Sequence, residues 1–381
     1  MTNRTENPTS TKGREPSTAL NAVCPYYTMF PLDFPLSVMK HFSKQRIRVL
    51  DPFCGRGTTI FAARIKGYKA YGIDSSPIAI AIARAKLAET SEADVVALAE
   101  GILAETQSVA IPRGEFWKWA YAPATLRQVC LLRQGLRGLR SPAAHLLRAI
   151  CLGAMHGPLS TDPEQRSYFS NQMPRTFASK PNYSVRFWRD RDLKPTPVDA
   201  LQVIKRRAKR LELETLPECV GTSKVYTADA RLARGYSLLP SVIDLVVTSP
   251  PYYGMRTYIA DQWLRNWFLG GPANVPYREQ NSLSHQSPDA FAESLSQVWD
   301  RVGERLSGKG RMFVRFGGIP SRKRDSKEIM LASLKYSCHS WQVRRILHAD
   351  SAASGKRQAC HMGSRIKSAA IEEHDYEISI S

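Results

Sequence analysis

Acidic residues are scarce in this chain: 34 Asp and Glu stand against 54 Lys and Arg, a net charge of +20 at pH 7. Charge of one sign on that scale repels itself unless something neutralises it, which points to a polyanionic partner. The plain alternative is a soluble protein that happens to be basic. Long apolar runs are missing too. None approaches the roughly 20 residues of a membrane span, so no membrane role is expected. The opening stretch, residues 1–22, starts rich in Thr, Asn, Ser and Pro and reads as a disordered tail rather than a secretory leader. The seven cysteines form no Cys-x-x-Cys pair and no Cys/His spacing suited to zinc. No metal is expected, therefore, and a reduced intracellular compartment is the simpler reading. Internal repeats are absent. What is present, 381 residues with 43% hydrophobic and 23% charged, suffices for one large α/β domain or one domain with a sizeable insertion.

The most informative stretch is Thr248-Ser249-Pro250-Pro251-Tyr252-Tyr253, which ends the apolar run 242–247. A short apolar run that stops in turn chemistry predicts a buried parallel strand whose carboxyl end opens onto a crevice. Two consecutive prolines fix φ and donate no N–H, so the carbonyls of Ser249 and Pro250 are held rigid and ready to accept. Tyr252 adds a flat π face beyond them. A rigid pair of acceptors beside a stacking ring suits an exocyclic amino group on a planar base. A proline-rich turn with aromatics that only pack is the competing reading of the same residues.

Upstream, a strand over 46–50 runs into Asp51-Pro52-Phe53-Cys54-Gly55-Arg56-Gly57-Thr58-Thr59, and helix follows. Strand, tight glycine turn and helix together bring backbone close to a ligand at a helix N-terminus. This is not the dinucleotide fingerprint, because the third glycine is missing and Asp51 would repel a pyrophosphate while welcoming a cation. Glycines serving turn sterics alone are the bland reading. A second strand, 69–74, ends at Asp74, where an acid roughly 20 residues past such a turn accepts from two ribose hydroxyls. A neighbour of a helix N-cap is the other account of Asp74. A third strand, starting at Lys224, has Asp229 just past its end. Three acids at three strand ends, in a chain poor in acid, suit a ligand with a cationic centre and a ribose. S-adenosylmethionine has both, and its sulfonium is attracted to an aromatic face such as Phe53.

From about residue 91 to 221 the α/β rhythm stops. Helical patterns over 126–139 and 144–155 precede a loop-rich segment, 156–197, where Tyr168, Phe169, Tyr183, Phe187 and Trp188 are interleaved with Arg175, Lys180, Arg186 and Arg189. That mixture suits stacking on bases and contact with phosphates; a small helical subdomain with a basic surface fits equally. A basic helix over 198–213 leads back to the sheet. Beyond Arg256 come a helix through Trp263 and Trp267, strands over 311–316, 341–347 and 376–380, and a helix over 326–336. A basic loop with Lys356 and Arg357 joins the last two strands, suited to phosphate or simply solvated.

Together, the Asp51–Thr59 loop and the Thr248–Tyr252 tetrapeptide region resemble the DNA amino-methyltransferases, the N4-cytosine and N6-adenine group. Tyr27-Thr28-Met29-Phe30-Pro31 resembles that family's additional cofactor-pocket segment. Gly72-Ile73-Asp74 with Pro77, and Thr227-Ala228-Asp229-Ala230, resemble its ribose and adenine contacts. The resemblance covers residues 24–90 and 222–381. It implies an α/β, Rossmann-like S-adenosylmethionine-dependent methyltransferase sheet over 23–90 and 222–381. Residues 91–221 would be a helical and loop-rich insertion serving as a DNA target-recognition region. Cofactor contacts would come from Tyr27, Phe30, Asp51, Phe53, Gly55, Gly57, Thr58, Asp74, Asp229 and Thr248, and catalysis from Ser249, Pro250, Pro251 and Tyr252. Arg175, Lys180, Arg186, Arg256, Lys356 and Arg357 are the candidate DNA contacts. In this family a serine at the position of Ser249 goes with cytosine N4, so the implied product is N4-methylcytosine in double-stranded DNA. The rivals are an adenine-N6 enzyme and an RNA guanine-N2 methyltransferase, the latter disfavoured by the short polar tail before the first motif. A nucleic-acid-binding protein that kept the fold without activity would be expected to lose motif residues, and none is lost. The family setting implies a prokaryotic cytoplasm, nucleoid DNA as substrate, and a restriction–modification or related system with a companion restriction endonuclease.

Overall fold

The computed structural model describes residues 17–26, 30–42, 47–105, 108–157, 166–171, 180–219, 221, 223–254, 259–275, 283–318, 325–349 and 373–381. Its centre is a seven-stranded sheet made of β1 (Arg48–Asp51), β2 (Lys69–Asp74), β3 (Lys224–Thr227), β4 (Ile243–Thr248), β5 (Leu306–Gly317), β6 (Trp341–Ala349) and β7 (Glu373–Ile380). The spatial order is β3-β2-β1-β4-β5-β7-β6. The pairings β2 with β3, β1 with β2, β1 with β4 and β4 with β5 are parallel, and β7 runs antiparallel between β5 and β6. This is an α/β, Rossmann-like sheet, the fold class expected from the sequence. Strand order reverses between β1 and β4, and in such sheets the crevice at the reversal is where a ligand lies.

The inner strands read as continuous apolar runs because both faces are covered. Side chains alternate across the sheet. Val49, Leu245 and Val247 pack with Phe34, Val38, Ile60 and Ala63 on one side. Here lie α1 (Asp33–Lys40) and α2 (Thr58–Ile65). Leu50, Val246, Met312 and Val314 pack with Phe291, Leu295 and Trp299 of a later helix on the other. Fully burying such a side chain stabilises the fold by about 1.5–3 kcal/mol each.

After β2, α3 (Pro77–Ala85) starts at Ser76, whose hydroxyl accepts from the Ala79 N–H at 3.3 Å, with Pro77 in the first turn. Proline is at home there because that N–H has no helical partner. Among the described residues, six α-helices then separate α3 from β3: α4 (Glu92–Ala104), α5 (Glu115–Ala120), α6 (Pro123–Gly135), α7 (Pro142–Ala154), α8 (Pro181–Arg189) and α9 (Ala200–Lys209). They share one core with Leu20, Val23 and Cys24, with Ile78 and Ile82 of α3, and with Trp263, Leu264, Trp267 and Phe268 of α10 (Ile259–Phe268). Thus the helix that follows the Ser249 stretch in sequence leaves the sheet and docks on the inserted lobe. The Trp117 and Trp267 rings lie 4.5 Å apart, and Phe116 and Trp263 4.9 Å. Last come α11 (Pro288–Gly303), capped by Ser287, and α12 (Ser326–Lys335).

The segment read as loop-rich differs. It contains α8, and its aromatics divide by depth: Phe169 and Trp188 are core residues, while Tyr183 is 54% exposed. Arg186 and Arg189, on the same helix, are exposed.

Candidate active site

β1 and β4 run side by side, with Val49 opposite Leu245 and Leu50 opposite Val246. The glycine loop and the Ser249-Pro250 stretch therefore leave from the same carboxyl edge. A hydrogen bond ties them: the Thr248 hydroxyl donates to Asp51 Oδ1 at 2.6 Å, across 197 residues of chain. The same oxygen accepts from the Phe53 N–H at 3.1 Å, and Thr59 donates to the Val247 carbonyl at 3.1 Å. Asp51 is fully buried. Burial pushes its carboxyl up to about 6, against the opposing pull of the Thr248 hydroxyl. Its Oδ2 is buried and has no hydrogen-bond partner among the described residues. An orphaned buried acceptor of this kind calls for a donor or a cation.

The loop itself is built on two left-handed glycines, Gly55 at φ +48° and Gly57 at φ +78°. Their surroundings differ. A Cβ on Gly57 would stand 2.8 Å from Ala83 Cβ, so Gly57 serves the close packing of α2 on α3; one on Gly55 would meet nothing nearer than the Phe53 carbonyl at 3.9 Å. Gly55 thus leaves room on the side where a ligand would approach the backbone. Its N–H donates to Asp74 Oδ2 at 2.9 Å, and the Ser76 N–H donates to Asp74 Oδ1 at 2.8 Å. Burial raises the Asp74 carboxyl, partly offset by those two N–H groups. Phe53 is half-buried, edge-on to Trp299 at 6.5 Å. Thr58 is buried at the start of α2. Phe30 packs edge-on against Phe34 at 5.5 Å.

β3 ends beside β2, where the Ala228 N–H donates to the Asp74 carbonyl at 3.0 Å. Asp229 is therefore near the same edge, but its carboxylate is engaged. Arg231 grips it through Nε at 3.0 Å and a second nitrogen at 2.6 Å, which also holds its pKa low. Of the three acids, Asp51 and Asp74 converge on the glycine loop, and Asp229 is spent on its own turn.

At the end of β4, Ser249 and Pro251 are half-buried and Pro250 is buried. Tyr252 is only 8% exposed. Its ring meets Phe316 edge-on at 5.6 Å, and its hydroxyl donates to Glu373 Oε1 at 2.8 Å. The open π face expected from the sequence is thus a ring fixed at both ends, because a buried phenol needs a partner for its O–H. Glu373 begins β7, in register with Gly317. Two residues on, Asp375 takes a bidentate pair from Arg315 at 2.7 Å each, and the Arg315 guanidinium lies 4.2 Å from the Phe34 ring centre.

Tyr27, Arg175, Arg256, Lys356 and Arg357 lie outside the described residues. Lys180 pairs with Asp261 at 3.8 Å, and Arg186 is exposed on α8. Sequence reading missed Tyr26, which is close enough to Asp74 and Ser76 for the first to raise and the second to lower its phenol, though burial dominates. It also missed Glu373, which lies three residues before the strand read from the sequence over 376–380 and belongs to β7 in the structure. Among the described residues no cluster of His, Cys, Asp and Glu could hold a metal, and no helix is long and apolar enough to cross a membrane.

An N6/N4 methyltransferase family model, described as DNA methylase, matches residues 3–85. The match spans β1, the glycine loop, β2 and Asp74, and supports the DNA amino-methyltransferase family; it does not reach Ser249. No curated protein matches the chain. Similar solved structures include two of the rRNA methyltransferase AviRa from Streptomyces viridochromogenes. Both are 14% identical, with 96% and 93% of this chain and 90% and 87% of that one covered, at TM-scores of 0.34 and 0.32. A TehB-like SAM-dependent methyltransferase from Corynebacterium glutamicum is 7% identical, covering 91% of this chain and 87% of that one, TM-score 0.31. These scores carry no argument of their own; the fold rests on the strand pairings.

Proposed function

Starting from the DNA amino-methyltransferase family that the match over residues 3–85 supports, we propose that the protein is a site-specific DNA methyltransferase acting on the exocyclic N4 of cytosine. The carrying observation is the Thr248–Asp51 hydrogen bond, which brings an acid-lined glycine loop and the Ser249-Pro250 carbonyls to one crevice. The residues fit S-adenosylmethionine: Asp51 offers a buried acceptor without a partner, and Gly55 leaves open space beside its backbone. When bound, that cofactor supplies the methyl group. Asp74, which accepts one N–H on each oxygen and keeps lone pairs for ribose hydroxyls, would hold the ribose, while Phe53 would offer a ring face to the positive centre.

The target cytosine is extruded from the duplex, as chemistry on a base requires. Ser249 Oγ and the Pro250 carbonyl accept from its amino group and aim the nitrogen lone pair; Pro251 keeps the turn rigid and Tyr252 bounds the base's plane. Orientation supplies much of the rate. Ser249 is too weak a base to remove a proton first, so the proton leaves after attack. No cysteine nucleophile enters, since burial pushes the Cys54 thiol well up and keeps it protonated. The setting this reading implies is self-marking of nucleoid DNA in a restriction–modification or related system, beside a companion endonuclease.

Purified protein is expected to transfer label from S-adenosylmethionine to duplex DNA, and nucleoside analysis to show N4-methylcytosine. N6-methyladenine would move the assignment to the adenine relatives. Ser249→Ala and Tyr252→Ala should each abolish transfer with cofactor binding largely intact; robust activity in both would refute the assignment.

A further inference from the structure

Four cations crowd the back of the glycine loop in a chain whose crevice is otherwise lined by acid. Lys86 and Arg265 are buried, at 0% and 4% exposure, and Arg56 and Arg207 are half-buried. They come from different parts of the fold: Arg56 from the glycine loop, Lys86 from the end of α3, Arg207 from α9 and Arg265 from α10. All four act electrostatically on the buried Cys24. Contacts place two of the four beside it. A Cβ on Gly153 of α7 would stand 3.2 Å from Cys24 Cα and 3.3 Å from an Arg207 guanidinium nitrogen. Arg265 Nε donates to the Leu152 carbonyl, one residue before Gly153, at 3.2 Å.

Among the described residues these cations donate to neutral acceptors. Lys86 donates to the Asn21 side-chain carbonyl at 2.6 Å, Arg207 to the Ser167 carbonyl at 2.9 and 3.0 Å, and Arg265 to Leu152 and Gln262. One terminal nitrogen of Arg265 and Nε of Arg56 are buried without a hydrogen-bond partner among the described residues. The neighbouring thiol and phenols supply no counter-charge, because burial raises Cys24, Tyr26 and Tyr168 alike. Burial lowers Lys86, Arg56 and Arg207, and no carboxylate offsets it. Uncompensated buried charge is costly, so such a group needs an anion that arrives from outside.

We infer that Arg56, Lys86, Arg207 and Arg265 form a buried site for the oxyanion group of a small ligand, completed by the inserted lobe and α10. Its depth excludes a duplex backbone and suits a compact carboxylate. Tyr26 stands between the two charge regions, within electrostatic reach of both Asp74 and Arg265. One ligand with a cationic, hydroxyl-bearing part and a carboxylate tail would satisfy both ends. Resting on the cofactor reading above, the occupant is the amino-acid carboxylate of S-adenosylmethionine.

Calorimetry on the full chain tests this with S-adenosylhomocysteine, its decarboxylated analogue and inorganic sulfate. The analogue is expected to bind about 10- to 100-fold more weakly, the range of a charge-assisted hydrogen bond. Arg265→Gln should shrink that gap, and Arg56→Gln gives the same readout if the first variant fails to fold. Sulfate should raise the melting temperature of the parent more than that of either variant. Equal binding of the two nucleosides, with no sulfate effect, would overturn the site and leave the methyltransferase reading standing. If neither nucleoside binds, the cofactor reading fails. A sulfate effect lost in the variants would then still support an oxyanion site, and its absence would overturn it.

Discussion

Asp51 is held buried at a cost in stability. Its folded pKa, raised by burial to about 6, exceeds the unfolded value of about 3.9, so the native state holds the proton more tightly. The sign follows: the native state binds more protons than the unfolded chain between about pH 4 and 6, and stability falls as pH rises through that window. Asp51→Asn keeps an oxygen for the Thr248 hydroxyl and the Phe53 N–H while removing the charge. Melting curves of the ligand-free variant should exceed the parent's by on the order of 1–3 kcal/mol at pH 8. The difference should nearly vanish at pH 4, while cofactor binding weakens. At the other side of the crevice, Tyr252→Phe keeps the ring and removes the bond to Glu373. A hydrogen bond to a charged group contributes roughly 1.5–3 kcal/mol. A drop in kcat without change in cofactor affinity is therefore expected, and Glu373→Gln, which leaves the Tyr252 hydroxyl an acceptor, should lower kcat less.

Among the elements, the two left-handed glycines make separable demands. Gly57→Ala forces a Cβ against Ala83 between α2 and α3 and should lower stability by about 1–3 kcal/mol, read as a fall in melting temperature. Gly55→Ala meets open space but strains the backbone at φ +48°, so a smaller fall in melting temperature is expected beside a loss of cofactor affinity. Much of this architecture was legible. The runs at 46–50, 69–74 and 242–247 alternate or stay apolar as buried strands must, and they emerge as β1, β2 and β4. Asp51 and Asp74 were legible because turn chemistry marks strand ends. Other features depend on distant partners. Glu373 reaches Tyr252 across 121 residues, and nothing near either residue announces the other. Trp188 lies among basic residues and looks like a binding element until the lobe closes over it. Asp229 is a different case: Arg231, two positions on, claims its carboxylate, a local pairing that the strand-end pattern obscured.

For the molecule as a whole, the charge of +20 makes an ionic-strength dependence the decisive measurement. If the polyanion is duplex DNA, log K should fall linearly with log salt, with a slope near −0.9 per phosphate neutralised. Six contacts would lower affinity about a thousandfold between 50 and 200 mM salt; a flat dependence would remove charge as the basis of binding. The β1–β4 pairing has a consequence for the chain's topology. The strand that leads into the glycine loop and the strand that ends at Ser249 are neighbours in space, yet the helices from α4 to α9 are threaded between them in sequence. Neither segment builds the crevice alone, so a cleavage inside the lobe would leave two pieces that rebuild it only by reassociating along two strand seams, β1 with β4 and β2 with β3.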